Sequence, residues 1–377
     1  MNRADLETEI LAWMNEASWQ PDPARFEHLS LALYRLQFDA CEPYARFCLS
    51  MNRPPQDVTR SEEIPAVPTG AFKEFDLRGF APDATVLTFR TSGTSVERRG
   101  QLHLDSLVLY EASLMSSLRK TFLTNLVGRQ VVMRFLAPPP EEAEDSSLTY
   151  MFETLRRSEG NTASGFDLHD GRLDLDSLSR AVAQARASKA PIVIAGTSFA
   201  FVHFLDAVTA AGVGHSPWQL PKGSRVMETG GFKGRSREVP REVLRADIAD
   251  CFGIAESSVV NQYGMTELGS QFYDSTLLDP GGPRRKLTPP WTRVRFVDPD
   301  SGRDVDQGEV GMIVIHDLAN TGSVATLQTA DLGRAILDAE GHPIGFDVQG
   351  RGSGAEARGC SIAADVMLEA TRSESAK

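Results

Sequence analysis

Residues 258–267 read Ser258-Val259-Val260-Asn261-Gln262-Tyr263-Gly264-Met265-Thr266-Glu267, an apolar run that turns into a polar loop. The β-branched start predicts a buried strand, and Gly264 predicts a turn at its end. Ligands of α/β proteins bind at such strand ends. Here Tyr263 can offer a flat face to a purine, Thr266 a hydroxyl to a phosphate and Glu267 a hard oxygen to Mg²⁺. The stretch also fits a strand that leads into a helix capped by Thr266, so both interpretations stay open.

Strand and helix patterns alternate on both sides of this stretch. Such alternation predicts a largely parallel or mixed sheet with helices on its faces, so the predicted fold class is α/β. With 377 residues the chain is long enough for one large body or two to three packed lobes. Further strands are predicted at residues 85–89, 131–136, 191–195, 225–228 and 312–316, and helices at 107–122, 173–187 and 240–252.

The chain divides into three predicted segments. From Phe26 to Leu36 apolar residues recur at helical spacing, which predicts a mainly helical segment over residues 1–75. The alternating body follows over residues 76–350, and a short tail over 351–377. Two proline-containing stretches, 138–147 and 280–290, are predicted to be solvated loops.

Composition excludes several classes of protein. A formal net charge of −12 argues against a broad nucleic-acid footprint. The N-terminus has no basic start followed by an apolar run, so no export signal is predicted. The most apolar stretch, 191–208, contains polar residues such as His203 and Asp206 and is a poor membrane span. The four cysteines show no zinc-binding spacing. We therefore expect a cytoplasmic protein with reduced thiols, no membrane segment and no nucleic-acid partner.

A second polar loop, residues 90–100, follows the strand predicted at 85–89. Its composition suits phosphate, because Gly93 lets the backbone approach an anion while backbone N–H groups and hydroxyls donate hydrogen bonds. The Gly-Lys-Ser/Thr ending of a Walker A loop is missing. An ordinary polar strand-to-helix turn explains this loop equally well. The candidate phosphate ligands are Thr91, Ser92, Gly93, Thr94 and Ser95.

Four motifs together resemble a known superfamily. The two loops, with Met227-Glu228-Thr229-Gly230-Gly231 and Thr329-Ala330-Asp331-Leu332-Gly333, stand in the order and approximate spacing of the acyl-adenylate-forming acyl- and aryl-CoA ligases. Three further stretches resemble the acyl-protein synthetases of bacterial bioluminescence. These stretches are 26–48, 64–73 and 350–361, so the resemblance covers most of the chain.

The resemblance implies an adenylate-forming α/β body that uses ATP and Mg²⁺ to activate a carboxylic acid. An ionised carboxylate needs no general base, and metal and preorganised donors supply the charge stabilisation. Arg98 and Arg99 stand where many members have a lysine. The resemblance implies that the 91–95 loop binds the β- and γ-phosphates and that Thr266 and Glu267 hold phosphate and Mg²⁺. It also implies a set of nucleoside contacts: Gly230 and Gly231 beside the adenine, Tyr263 stacked on it at the Gly264 turn, and Asp331 for the ribose hydroxyls. Gly264 and the hinge-like Arg351 are further candidate cofactor-binding residues.

The C-terminal end departs from the superfamily pattern. Only 26 residues follow the hinge-like Arg351, which is fewer than the about 50 residues of a small domain. We therefore expect the usual mobile C-terminal domain to be absent, as in the acyl-protein synthetases. By the same resemblance Cys360 receives the acyl group, and Arg351 and Arg358 can favour its thiolate form. The alternative is a buried cysteine at the start of a helix over 362–368.

Three functions compete on this evidence. The leading hypothesis is an acyl-protein synthetase that forms acyl-AMP from a carboxylic acid, which the resemblance implies is a fatty acid. It then passes the acyl group to an enzyme thiol and on to an acyl reductase partner. The second is a CoA ligase resembling phenylacetate-CoA ligase. The third is a non-catalytic nucleotide-binding subunit, against which the Thr266-Glu267 pair argues.

Overall fold

The computed structural model describes residues 1–91, 99–212, 214–230 and 239–351. These residues form two compact units. Unit 1 contains residues 1–116, 265–272 and the described residues from 285 onward. Unit 2 contains residues 117–264 and 273–284. The three segments expected from the sequence, 1–75, 76–350 and 351–377, have boundaries that differ from those of these two units. That division stays a prediction.

Helices and strands alternate through most of the described chain. The helices are α1 (Arg3–Met14), α2 (Pro23–Ala40), α3 (Glu42–Ser50), α4 (Ala71–Glu74), α5 (Val108–Leu118), α6 (Ser147–Glu159), α7 (Leu175–Ser188), α8 (Ser198–Ala211) and α9 (Arg241–Phe252). The strands are β1 (Val67–Pro68), β2 (Leu87–Arg90), β3 (Gln101–Leu104), β4 (Val132–Leu136), β5 (Gly165–Phe166), β6 (Leu168–His169), β7 (Arg172–Leu173), β8 (Ile192–Thr197), β9 (Arg225–Thr229), β10 (Val259–Tyr263), β11 (Phe272–Tyr273), β12 (Thr292–Val297), β13 (Gly311–Asp317), β14 (Thr326–Leu337) and β15 (Pro343–Arg351).

Unit 1 packs its N-terminal helices on a mostly antiparallel sheet. A capping box starts α1, because Asn2 and Asp5 each accept a hydrogen bond from the other's backbone N–H. Asp22 caps α2, whose first residue is Pro23. The apolar faces of both helices share one buried cluster with Trp291. The sheet has the order β1-β14-β13-β12, and β15 also pairs with β14; a separate hairpin joins β2 to β3.

Unit 2 is built on a parallel sheet that has helices on both faces. The order is β11-β10-β9-β8-β4-β5, and the pairs from β10 to β5 are parallel. Alternate strand residues point to opposite faces. Ile192 and Ile194 join the cluster formed with α7, α8 and α9. On the other face Phe135 of β4 stacks on Phe152 of α6, with ring centroids 4.9 Å apart. Strands buried on both sides explain the long apolar runs in the sequence.

The elements predicted from periodicity are confirmed to within a few residues. All the predicted strands and the helices at 173–187 and 240–252 are present. The helix predicted at 107–122 ends as an α-helix at Leu118 and continues as a π-helical turn through Leu123. Strands β12, β14 and β15 and helices α6 and α8 were not predicted. In the described part of the chain, no helix is both long and apolar enough to cross a membrane.

One loop prediction is wrong. The stretch 280–290 was expected to be solvated, yet Lys286 is buried. Its backbone pairs with Phe346 of β15, with N–H to O distances of 2.7 and 3.1 Å in the two directions. Proline content correctly indicated the absence of a helix, but it carries no information on whether another strand covers the loop.

We predict that the buried ion pair of unit 2 is critical to its stability. Asp167 is fully buried, and Arg134 donates to it from Nε at 2.9 Å and from Nη2. Arg134→Met leaves an uncompensated buried carboxylate, so the free energy of unfolding measured in urea should fall by about 3–5 kcal/mol. Arg156→Met, which breaks the more exposed pair with Glu153, is the matched control and should cost about 1 kcal/mol or less. Equal losses in the two variants would contradict the prediction.

Candidate functional site

In unit 2 the candidate residues lie at the carboxyl ends of neighbouring parallel strands. Gly230 directly follows β9, and Tyr263 ends β10. Because β9 and β10 are parallel neighbours, these ends lie on the same edge of the sheet. Gly230 has a φ of +77°, a conformation that favours glycine. The edge therefore presents an exposed glycine and a half-buried tyrosine.

A buried carboxylate organises this edge. Glu228 accepts a hydrogen bond from the Ser198 hydroxyl at 2.5 Å and another from the Asn261 side-chain amide at 2.6 Å. The same Ser198 hydroxyl lies 3.0 Å from the carbonyl oxygen of Gly230. Thr229 donates its hydroxyl hydrogen to the side-chain oxygen of Gln262. These contacts fix the ends of β9 and β10 to the start of α8.

A second acidic side chain, Asp274, bonds the backbone of β10. Asp274 accepts from the backbone N–H of Asn261 at 2.9 Å and from Arg284 Nη1 at 2.5 Å. Arg284 also donates to the carbonyl of Val259 at 2.8 Å. The strand that ends at Tyr263 is therefore held at Val259 and Asn261 by a partly buried ion pair.

In unit 1 the base of the predicted phosphate loop is closed by hydrogen bonds. Thr91 and Gly100 bond each other twice at 2.9 Å, from Thr91 N–H to the Gly100 carbonyl and from Gly100 N–H to Thr91 Oγ1. Arg99 Nε donates to the carbonyl of Thr91 at 2.6 Å, and its Nη2 donates to the carbonyl of Arg90 at 3.2 Å. Arg99 therefore stabilises the base of the loop, a role that the sequence did not reveal.

Glu267 lies against this base. Its side chain is buried, and a Cβ placed on Gly100 would lie 3.5 Å from Glu267 Oε1 and 3.1 Å from Thr91 Cγ2. The structure thus brings together two residues that are far apart in sequence. Thr266 and Glu267 lie in a turn, so the alternative of a helix capped by Thr266 is wrong.

Asp331 and Arg351 are partners on adjacent strands of unit 1. They face each other in the β14–β15 register, and Arg351 Nε lies 4.0 Å from Asp331 Oδ1. Asp331 lies within the 12-residue strand β14, so it is neither a helix cap nor a turn residue. Its backbone N–H donates to Thr329 Oγ1 at 3.1 Å.

The donor set fits Mg²⁺ held chiefly by substrate. No group of three or more His, Cys, Asp or Glu side chains suited to a metal ion occurs in residues 1–91, 99–212, 214–230 and 239–351. Mg²⁺ is usually held through one or two carboxylates plus substrate phosphates. Glu267, beside the base of the predicted phosphate loop, could supply one such carboxylate.

The three described cysteines are poor nucleophiles. Cys41, Cys48 and Cys251 are buried and free, as expected for core residues. Burial raises the pKa of the Cys41 thiol to about 11 and the pKa values of Cys48 and Cys251 to about 12. Because the thiolate is the reactive form, these side chains stay inert at neutral pH.

Several predicted site residues lie outside the described part of the chain. They are Ser92, Gly93, Thr94, Ser95, Gly231 and Cys360. Other residues were missed from the sequence: Glu228 and Asn261 stand inside the quoted motifs but had no role assigned, and Ser198 follows an apolar strand with no motif of its own.

Comparison with known proteins is consistent with this geometry. The family model described as "Acyl-protein synthetase, LuxE" matches residues 6–371. The long-chain-fatty-acid–luciferin-component ligase of Aliivibrio fischeri is 20% identical over 338 residues, which cover 87% of this chain and 85% of that protein.

Solved structures show the fold. An open conformation of 2-hydroxyisobutyryl-CoA ligase with 2-HIB-AMP and CoA has a TM-score of 0.62 at 14% identity, covering 91% of this chain and 82% of the ligase chain. The same ligase in its thioesterification state has a TM-score of 0.61 at 15% identity, covering 93% and 69%. The predicted α/β fold class is thereby confirmed.

The buried thiols give a direct test of the site description. We predict that Cys41, Cys48 and Cys251 react with iodoacetamide in the native protein at pH 8 roughly a hundredfold or more slowly than in the urea-unfolded chain, because their raised pKa values leave little thiolate. Peptide mass spectrometry measures each site separately. Native labelling of any of the three at the unfolded rate would contradict their burial.

Proposed function

Because the chain belongs to the LuxE family of acyl-protein synthetases, we propose that it activates a fatty acid with ATP and passes the acyl group to its own Cys360. The resemblance predicted from the sequence motifs is confirmed by the family match, and the chain is an enzyme of the ligase class. The proposal concerns the substrate, the cofactors and the residues that act.

One observation carries the proposal: the buried carboxylate of Glu267 lies beside Gly100 and Thr91 at the base of the hydroxyl-rich loop. A carboxylate that faces a phosphate-binding loop has the arrangement needed to hold Mg²⁺ on the phosphates of ATP. The bound ion would neutralise charge on the phosphates as pyrophosphate leaves. Thr91 contributes to holding the loop closed, and Thr266 offers a hydroxyl in the same turn as Glu267.

Other residues would bind the nucleoside. We assign Tyr263 and Gly264 to the adenine together with Gly230 and Gly231, as the family resemblance implies. The edge contacts of Glu228 support this assignment, since they keep Gly230 and the end of β10 in fixed positions. Asp331 would accept from the ribose hydroxyls, and Arg351 lies across the hairpin from it.

The first chemical step needs no general base, because the fatty acid is already ionised. An ionised fatty-acid oxygen attacks the α-phosphorus of ATP, the bond to the bridging oxygen breaks, and pyrophosphate leaves with that electron pair. Acyl-AMP remains on the enzyme. In the second step the Cys360 thiolate attacks the acyl carbonyl, the bond between that carbon and the phosphate oxygen breaks, and AMP leaves. A thioester results.

The described cysteines support Cys360 by exclusion. Cys41, Cys48 and Cys251 are buried and have raised pKa values, so none is suited to accept an acyl group. The Aliivibrio fischeri relative is named for ligation of a long-chain fatty acid to a luciferin component, and this supports a fatty substrate. We propose an acyl reductase as the protein that takes the acyl group from Cys360.

We expect ATP–pyrophosphate exchange that requires both a fatty acid and Mg²⁺. Glu267→Gln should lower its rate by roughly a hundredfold, because loss of the metal's charge stabilisation is worth several kcal/mol. Glu309→Gln removes an exposed carboxylate from the same unit and should leave the rate unchanged. No exchange with any acid in a panel of chain lengths would refute the proposed reaction. Near-normal exchange in Glu267→Gln would show that the metal is held elsewhere.

We expect incubation with labelled fatty acid and Mg·ATP to give a hydroxylamine-labile adduct on Cys360. Cys360→Ser should keep pyrophosphate exchange and lose the adduct, because only the second step needs the thiol. Cys251→Ala is the matched control and should retain both. An adduct that persists in Cys360→Ser would refute the assignment, and turnover that consumes CoA instead would favour the CoA ligase alternative.

A further inference from the structure

A turn after β13 contacts the backbone of the segment that carries Glu267. Asn320 Nδ2 donates to the carbonyl oxygen of Glu267 at 3.2 Å and to that of Val324 at 3.0 Å. Ala319 packs on Gly269 so closely that a Cβ on Gly269 would lie 2.9 Å from the Ala319 Cβ. All of these residues belong to unit 1.

The orientation of the Asn320 amide follows from its surroundings. Its NH₂ group has two carbonyl oxygens to donate to, and a reversed amide would place Oδ1 against both of them. Asn320 is buried, and among the described residues its Oδ1 has no hydrogen-bond partner. An apolar side chain would avoid that unsatisfied acceptor, so the amide contributes through its donor group.

Helix α2 holds Asn320 in turn. Gln37 donates from Nε2 to the backbone carbonyl of Asn320 at 2.8 Å, and its Oε1 accepts from the N–H of Ala325 at 3.0 Å. The turn is thus anchored on both sides of residues 321–324. A chain of buried hydrogen bonds leads from the helical core through Gln37 and Asn320 to Glu267.

The turn that contains Glu267 has little regular structure of its own. One backbone hydrogen bond closes it, from the N–H of Leu268 to the carbonyl of Met265 at 3.2 Å. The carboxylate of Glu267 must nevertheless stay beside Gly100 to be of use to a metal ion. The bond from Asn320 fixes the carbonyl of the same residue, and so limits rotation of the peptide next to that side chain.

We infer that Asn320 is a positioning residue that holds the Glu267 carboxylate in place for Mg²⁺. The inference rests on the proposed function, in which Glu267 binds the metal of Mg·ATP. Asn320 does not touch the ion. Its loss leaves the carboxylate chemically intact but held less firmly at the loop base, so the cost should be seen in the metal dependence of the enzyme.

The decisive variant is Asn320→Ala. Loss of a group that orients a metal ligand typically weakens metal affinity about 10- to 100-fold, so we expect the Mg²⁺ concentration for half-maximal exchange to rise roughly tenfold or more. Ser323→Ala is the matched control: Ser323 is buried in the same loop, and its hydroxyl donates to the carbonyl of Leu77 at 2.6 Å. It should lower the unfolding temperature similarly without changing the Mg²⁺ dependence.

A double-mutant cycle separates positioning from general damage. With Glu267 already changed to Gln, Asn320→Ala should have no further effect on Mg²⁺-dependent ATP binding measured by calorimetry, because the group it positions is gone. Additive effects would overturn the inference. So would an Asn320→Ala enzyme whose Mg²⁺ dependence matches that of Ser323→Ala. If Asn320→Ala does not fold, Asn320→Ser keeps a small donor, and a smaller rise in the Mg²⁺ requirement is expected.

The same measurements distinguish this inference from the proposed reaction. A wild-type enzyme that binds ATP in a Mg²⁺-dependent way, weakened in Asn320→Ala, but exchanges no pyrophosphate would refute the reaction and support the positioning role. Exchange with normal Mg²⁺ dependence in Asn320→Ala would refute only the positioning role. A wild-type enzyme with no Mg²⁺-dependent ATP binding would refute both.

Discussion

The candidate metal site depends on the hydrogen bonds that the buried carboxylate of Asp317 accepts. Asp317 ends β13 and accepts from the backbone N–H of Ser270 at 2.8 Å, from the Ser270 hydroxyl at 2.6 Å and from the N–H of Ala319 at 3.1 Å. Burial raises the pKa of Asp317, and these donors oppose the rise. The Ser270 hydroxyl also contacts Trp291 Nε1 at 3.2 Å, in the helical core of unit 1. The segment after Glu267 is therefore fixed to the sheet and to the core at one residue.

In unit 2 a buried carboxylate also fixes neighbouring segments of the chain, through a different set of residues. Its parallel strands end at one edge, where backbone carbonyl groups and N–H groups lose their ladder partners and need others. Glu228 is buried there, and Ser198 and Asn261 supply it with hydrogen bonds at 2.5 and 2.6 Å. A buried carboxylate is costly unless it is satisfied in this way. In both units, then, a buried acid bonded to neighbouring segments of the chain fixes the position of the candidate ligand residues.

Local sequence was sufficient to predict part of the fold and of the candidate site, but not the contacts between residues that are far apart in the chain. The strand at 258–262 and the loop after it were predictable, because apolar periodicity and turn residues act over a few positions. The strand that contains Asp331 was not predicted, because an Asp at a strand position leaves no local signal. Asn320 and Glu267 are 53 residues apart, and their hydrogen bond arises only when β13 returns beside the loop. Burial of Lys286 likewise depends on β15, a strand that was not predicted.

The contacts of the charged residues Arg99 and Glu267 at the loop base bear on how a metal ion would be bound there. Two donors of Arg99 bond the backbone carbonyls of Thr91 and Arg90, so part of its role is to hold the base of the loop together. Glu267 brings a single carboxylate to the same place, and the described residues hold no three-ligand cluster that would bind a metal by itself. Because Mg²⁺ gives up its water reluctantly, it is usually held by one or two carboxylates, substrate phosphates and several retained waters, and Glu267 would supply one such carboxylate. Under the proposed function the ion would bind together with ATP, and the contacts of the turn would keep Glu267 in position to meet it.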